Sequence, residues 1–338
     1  MARMARIKAD WDMTYHVMSR ITGKMYLLRQ DDIKADMYDA LKRAAMYSGV
    51  EVDSFAIMDD HFHIVLKVVK PEEGTVTESE VLRRIALLKG SDAAEAAKAR
   101  WRRYRSSGHA WQAEAEFNSH LVRMHDLSQF VKTFKETFGM RFRRRTRYVG
   151  TIWGGRFKST LVDTGFYFER CVDYVEHNPV RAGLSEDPES YAWCTMGMAR
   201  NGDAFAQDCI LRRSLKFLRQ DTSNLFATSI PASTGDSPQS PAPAIDRLLA
   251  SAASGDNPQS GRPDMVEGAR SAYELWRKVC PQITEGVVFG SIEFVKGMIA
   301  KFAGACMSRR TKPHEVAPGI YASHGHRKAS TLSSDAMA

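Results

Sequence analysis

The stretch Met58-Asp59-Asp60-His61-Phe62-His63-Ile64-Val65-Leu66-Lys67-Val68 decides how the rest of the chain is read. Successive residues of a strand point to opposite faces, so His61 and His63 fall side by side on one face while Phe62 turns to the other. Two imidazoles on a rigid backbone can grip one cation. The apolar run from Ile64 to Val69 gives the strand a buried continuation that steadies the pair. Imidazole donors suit zinc or manganese, so ligand type alone does not choose the ion. A half-exposed strand with two unrelated histidines fits the same residues, and a second stretch has to decide.

Working outward, Val50 to Met58 alternates as a strand, and Asp59-Asp60 turns it directly into the histidine strand to make a hairpin. Upstream, Asp31-Asp32-Ile33 opens a helix that runs to Tyr47 and closes at Ser48-Gly49. Tyr15, Val17 and Ile21 mark a first strand. The order up to this point is strand, helix, strand, strand.

The second decisive stretch is Phe166-Tyr167-Phe168-Glu169-Arg170-Cys171-Val172-Asp173-Tyr174-Val175-Glu176-His177-Asn178-Pro179-Val180-Arg181-Ala182-Gly183. It predicts a helix from about Thr164 that stops near Asn178, because proline cannot continue it and Gly183 lies just beyond. Tyr174 and Asn178 are four residues apart and share a face, so a nucleophile and a metal ligand could sit together. Tyr167 lies on nearly the same face and is the rival nucleophile. His177 is the rival third ligand, and Asn178 before a proline also fits a plain helix end.

Three motifs in this order, Tyr15-His16-Val17-Met18-Ser19-Arg20, His61-Phe62-His63 and Tyr174-Val175-Glu176-His177-Asn178-Pro179-Val180-Arg181-Ala182-Gly183, resemble those of the REP-associated tyrosine transposases. These are relatives of the single-tyrosine transposases of the HUH (histidine-hydrophobic-histidine) class. The resemblance covers residues 1–200 and implies an α+β fold, the HUH endonuclease fold, with a ferredoxin-like antiparallel sheet and packed helices. It implies Tyr174 as nucleophile, with His61, His63 and Asn178 holding Mg²⁺ or Mn²⁺. The implied reaction is cleavage and rejoining of single-stranded DNA through a 5′-phosphotyrosine, in DNA transposition. The implied partner is a hairpin from a palindromic repeat with a flanking tetranucleotide; the REP-associated group implies a monomer, and a dimer that exchanges the tyrosine helix between subunits is the alternative. One departure stands out: such proteins usually carry Pro-Asn before the first histidine, where this chain has Asp59-Asp60.

Between the motifs, residues 72–125 read as a helical insertion. Within it, Arg100-Trp101-Arg102-Arg103-Tyr104-Arg105 interleaves cations and aromatics, which suits phosphate contact plus base stacking or, equally, aromatics docked on a core. Phe130, Phe134 and Phe138 then mark a helix that runs into Arg141-Phe142-Arg143-Arg144-Arg145-Thr146-Arg147, a cationic cluster expected on the DNA backbone. In the family, Trp153 and the Arg156-Phe157 segment lead into the last strand before the tyrosine helix. Arg20, Arg141, Arg143, Arg144, Arg145, Arg156, Lys158 and Arg181 are the expected DNA contacts.

Beyond that point the expectation is a helical extension over 201–228, a Ser/Pro/Ala/Gly-rich linker over 229–266, a small helical C-terminal unit over 267–311 and a disordered tail over 312–338. Lys+Arg of 48 against Asp+Glu of 40 gives a net charge of +8, which favours an anionic partner without naming it. No apolar run approaches the ~20 residues needed to span a bilayer. The five cysteines are widely spaced, with no Cys-x-x-Cys pair, and read as reduced thiols of a cytoplasmic protein. The alternative to strand transfer is a catalytically inactive regulator that binds repeat hairpins. A weaker third is a phosphodiesterase in which water attacks.

Overall fold

The computed structural model describes residues 8–72, 74–227, 288–302, 312–317 and 320–323. The histidine strand β3 (His61–Val68) lies between β2 (Val50–Ile57) and β1 (Met13–Arg20), antiparallel to both. On its other side β1 pairs antiparallel with β4 (Lys158–Val162), from Thr14↔Val162 to Met18↔Lys158. Helix α1 (Asp31–Ser48) joins β1 to β2 with β3 between them, and β3 returns to β4 with β1 between. This is the ferredoxin-like sheet of an α+β fold.

Helix α1 opens with Asp31 and Asp32 in its first turn, where they favour the positive end of the helix dipole, while its N-cap, Gln30, makes no side-chain cap bond. It ends at Gly49, whose φ of 67° is left-handed and whose N–H donates to Ala45 O at 2.9 Å. A Cβ there would lie 2.2 Å from Arg84 Nη1 and 2.7 Å from His125 Cε1, so both conformation and space require glycine.

Strand alternation sorts β3 into two layers. Phe62, Ile64 and Leu66 join Val17, Ile21, Leu41, Phe130, Phe134 and Phe138 in the core beneath α1 and α5 (Leu127–Thr146). Each fully buried residue of this size stabilises the fold by about 1.5–3 kcal/mol. On the other face Val65 joins Ala56, Met58, Val162, Cys171, Val172 and Val175 beneath α6 (Phe166–Glu176). His61 and His63 therefore lie in the layer that carries the tyrosine helix.

The insertion forms α2 (Glu78–Lys89), α3 (Ser91–Ser106) and α4 (Ala110–Leu121). Thr77 caps α2 by accepting from Glu80 N at 3.3 Å. The three helices share a core of Val81, Ile85, Leu88, Ala97, Trp101 and Ala113, anchored on Tyr47 at the end of α1. Trp101 is fully buried, Arg100 Nε donates to Glu116 Oε2 at 2.9 Å and Arg105 pairs with Glu78. The Arg100–Arg105 segment is thus the docked amphipathic helix, with its aromatic inside, and not a stacking platform.

The tyrosine helix α6 stops at Glu176, close to the expected end near Asn178, and a separate short helix, α7 (Asn178–Arg181), then begins with Pro179 in its first turn, where a missing N–H costs no hydrogen bond. The short helix α8 (Thr195–Arg200) then leads to α9 (Ala204–Ala227), which covers the outer edge of β2. There Arg212 Nη1 donates to Val52 O at 2.8 Å, and Lys216 Nζ lies 2.7 Å from the buried Asp53 carboxylate at a bulge in β2.

The expected linker over 229–266 lies outside the described residues, as does most of the expected helical unit over 267–311 and of the expected disordered tail over 312–338. The described residues of that region join the sheet: β5 (Val288–Gly290) pairs parallel with β4, and β7 (Ile320–Ser323) and β6 (His314–Ala317) continue it to the order β2-β3-β1-β4-β5-β7-β6. Helix α10 (Ile292–Phe302) buries Val295 and Ile299 in the main core. The reason is the free edge of β4: Leu161 and Val162 find ladder partners in Val288 and Phe289, and Asp163 accepts from Ser291 N at 3.0 Å and Ser291 Oγ at 2.8 Å.

Candidate active site

The alternation that buries Phe62 puts His61 and His63 on the α6 face with ring centroids 5.0 Å apart. Helix α6 lays Tyr174 against the inner one: its ring centroid is 5.4 Å from that of His63, with the planes at 83°. The rival Tyr167 is elsewhere, 5.9 Å from Phe289 of β5. Tyr174 and His63 are 6% and 2% exposed, so the phenol and the inner imidazole are packed together and away from bulk water.

A third histidine completes the cluster. His16 of β1 sits opposite Val65 on one side and Thr160 on the other, so it reaches His63 diagonally across the ladder. Their rings stack at 5.0 Å and 9°, with His16 Nε2 2.8 Å from His63 Nδ1. His16 also meets the Tyr174 ring at 5.7 Å. Sequence reasoning missed His16: alternation along β1 sets it on the face opposite Tyr15 and Val17, but its meaning needed the partner strand.

The outer histidine has a different partner. His61 Nδ1 is hydrogen-bonded to the Asp60 carboxylate, which also lies 3.4 Å from Arg20 Nε. Burial raises the Asp60 pKa, but the His61 hydrogen bond and the His61 and Arg20 charges outweigh it and hold the carboxyl below its ordinary value. Asp59 turns the other way, onto Lys34 of α1 at 2.7 Å. Asp59 and Asp60 therefore each have a cation of their own, Lys34 and Arg20. For His63 burial is the largest effect, and with the His16, His61, Arg181 and Arg20 charges it pushes the imidazole well below 6.5.

Around Tyr174 the helix end is tightly bonded. Asn178 Nδ2 donates to Tyr174 O at 2.9 Å, and Arg181 Nη2 donates to the same oxygen at 3.2 Å. The Arg181 guanidinium stands 4.4 Å over the Tyr174 ring. His177 is exposed, with its Nδ1–H donated to Asp173 O at 2.9 Å. Glu176, buried beside the tyrosine, pairs with Arg213 of α9 and so ties the tyrosine helix to the next layer.

The remaining expected contacts separate. Arg20 and Arg181 border the histidine-tyrosine cluster, and Arg156 and Lys158 are exposed next to and on β4. The α5 cluster is largely turned toward the protein: Arg141 lies 2.6 Å from Asp39, Arg145 is 2.6 Å from Asp36 and 3.3 Å from Asp32, and Arg143 Nη2 donates to Gly150 O at 3.2 Å. An acidic row on α1 explains the density of arginines there; Arg144 is exposed.

The donor set fits a divalent cation. With Nδ1 of His61 and of His63 each occupied by a neighbour, Nε2 of both rings is the nitrogen left over, the arrangement found around metal-bound histidines. Nitrogen donors suit a first-row ion such as Mn²⁺ better than Mg²⁺, and an amide oxygen such as that of Asn178 suits either. Among the described residues no group of three or more His, Cys, Asp or Glu is arranged to hold a metal ion.

Residues 9–119 match the family model described as "Transposase IS200 like". The match spans His16, His61 and His63 and ends before α6. No curated protein matches the chain. Among solved structures, a REP-associated tyrosine transposase bound to a REP hairpin is similar at 15% identity, over 60% of this chain and 87% of that one, with a TM-score of 0.34. A candidate transposase from Deinococcus radiodurans R1 is similar at 13% identity, over 55% of this chain and 94% of that one, with a TM-score of 0.26. Among the described residues no helix is long and apolar enough to cross a membrane. The likeness to the IS200-like transposases thus covers the histidine-bearing part of the chain, residues 9–119.

Proposed function

We propose that this protein is a transposase that cleaves and rejoins single-stranded DNA at hairpins of palindromic repeats, with Tyr174 as nucleophile and a divalent cation held by His61, His63 and Asn178. The observation that carries the reading is the packing of the Tyr174 ring against His63 of the same chain, at 5.4 Å. A nucleophile and its phosphate-binding group must share one phosphate, and within this chain no subunit exchange is needed to bring them together.

The Tyr174 hydroxyl attacks phosphorus; a P–O(Tyr) bond forms, the P–O3′ bond breaks, and the phenolic proton is given up as the departing 3′ oxygen takes one. The product is a 5′-phosphotyrosine with a free 3′ hydroxyl, and reversal rejoins the strand without external energy. A phenol with pKa near 10 needs nearby positive charge to react at neutral pH. Arg181, 4.4 Å over the ring, supplies some of it. The cation, when bound, supplies the rest by polarising the phosphate. Of the three, His61 has the more open side chain at 15%, beside Arg20 at 42%, so the strand would enter from that corner.

The test is a suicide oligonucleotide with a nick placed so that cleavage cannot reverse. A covalent protein–DNA adduct is expected, lost in Tyr174→Phe and with chelator. A second reading, a hairpin-binding regulator without chemistry, draws on the burial of Tyr174 and His63. Salt-sensitive hairpin binding with no adduct under any divalent metal would select it.

A further inference from the structure

We infer that Asp60 and His16 are positioning residues: each engages Nδ1 of one histidine of the pair, so that His61 and His63 both present Nε2 as the open donor. The inference rests on the proposed cation-binding role of the pair and goes beyond it to what sets its chemistry. Strand alternation fixes the face on which both rings lie, but not which nitrogen carries the proton. An imidazole flipped about χ2, or in the other tautomer, would offer N–H where a lone pair is needed.

For His61 the partner decides. A carboxylate only accepts, so the hydrogen bond to Asp60 requires the proton on His61 Nδ1 and leaves a lone pair on Nε2. Arg20, 3.4 Å from the second Asp60 oxygen, keeps that carboxylate from turning away. The bond also makes Nε2 more basic, as carboxylate–histidine pairs do at metal centres.

For His63 the partner is a second imidazole. His16 and His63 are 1% and 2% exposed and stack with Nε2 of the first 2.8 Å from Nδ1 of the second. One proton occupies that bond. When His63 donates it, His63 Nε2 keeps its lone pair and His16 carries its own proton on Nδ1. The opposite sharing would close His63 to any ligand at Nε2.

The test uses the full chain with ¹⁵N-labelled histidine, free of metal and DNA, and reads tautomers from two-bond ¹H–¹⁵N correlations, with resonances assigned by single His substitutions. Both His61 and His63 are expected as the Nδ1–H form. Asp60→Ala should shift His61 toward Nε2–H, and Asp60→Asn, which keeps an oxygen acceptor, should not. His16→Asn should preserve the His63 tautomer where His16→Val loses it; should the buried His16 variants fail to fold, the Asp60 pair still decides. Mn²⁺ binding followed by electron paramagnetic resonance should weaken about 10–100-fold in Asp60→Ala. An Nε2–H form of His61 in the unmodified chain, or unchanged tautomer and Mn²⁺ affinity in Asp60→Ala, overturns the inference. If His61→Ala leaves Mn²⁺ binding intact, the cation reading fails instead, and the tautomers judge the positioning roles separately.

Discussion

The rings of Tyr174 and His63 meet nearly at right angles, 83° between planes and 5.4 Å between centroids, although 111 positions of chain separate them. Helix α6 and strand β3 are brought together by one apolar layer, in which Val65, Val172 and Val175 pack beside the pair. The contact is polar chemistry held by hydrophobic packing, and it carries the first prediction.

Tyr167→Phe should form the adduct on a suicide oligonucleotide at the unmodified rate. Its ring packs on Phe289, whereas that of Tyr174 packs on His63. An adduct lost in Tyr167→Phe and kept in Tyr174→Phe would move the nucleophile seven residues along the helix, and denaturing gels of the two variants decide it.

The α5 arginines should divide into two classes. Arg144→Ala should weaken DNA binding and lower the slope of log affinity against log salt by about 0.7, one phosphate contact on a single strand. Arg145→Ala should leave that slope unchanged and loosen α5 from α1, because its guanidinium already lies 2.6 Å from Asp36. Filter binding across a salt series, with thermal melts of both variants, distinguishes them.

Trp101→Ala should cost about 3–5 kcal/mol in the insertion, since this fully buried indole sits at the centre of α2, α3 and α4. Hydrogen exchange should rise in those helices while hairpin affinity at fixed salt stays the same. A loss of affinity without a loss of protection would return Trp101 to the DNA interface.

Stability should fall on acidification, with His63 as a contributor. Burial holds its folded pKa well below 6.5, so the stability it contributes is fully present above the unfolded value and is lost as pH falls from 6.5 toward the folded value. The unfolded chain takes up a proton that the native chain refuses, at up to about 1.4 kcal/mol per pH unit. Urea titrations at several pH values should give a steeper decline for the unmodified chain than for His63→Gln.

Lys34→Met should destabilise the chain by about 2–3 kcal/mol, less than the ~3–5 kcal/mol of a fully buried pair, because it strands the Asp59 carboxylate at the turn before the histidines. Lys34→Met with Asp59→Asn should recover most of the loss in urea unfolding. Equal stability of the single and double variants would remove the ion pair from the account of that turn.

Local periodicity was enough for much of the site. Period two places His61 and His63 on one face and Phe62 on the other, and Gly49 ends α1 where its left-handed φ is needed; the expected shared helix face of Tyr174 and Asn178 is interrupted, because α6 stops at Glu176 and Asn178 opens α7. Such rules act over a few residues and can be read wherever those residues stand. They did not separate Tyr174 from Tyr167, whose spacing suits both; the choice lies in which ring lands on a histidine and which on Phe289. Nor did they find His16 behind His63, Lys34 under Asp59, the α1 aspartates opposite the α5 arginines, or the strands that extend β4. Each of these joins segments far apart in the chain, and their meeting is set by how sheet and helices pack, because a charge, a lone pair or a strand edge takes the partner that folding brings within reach.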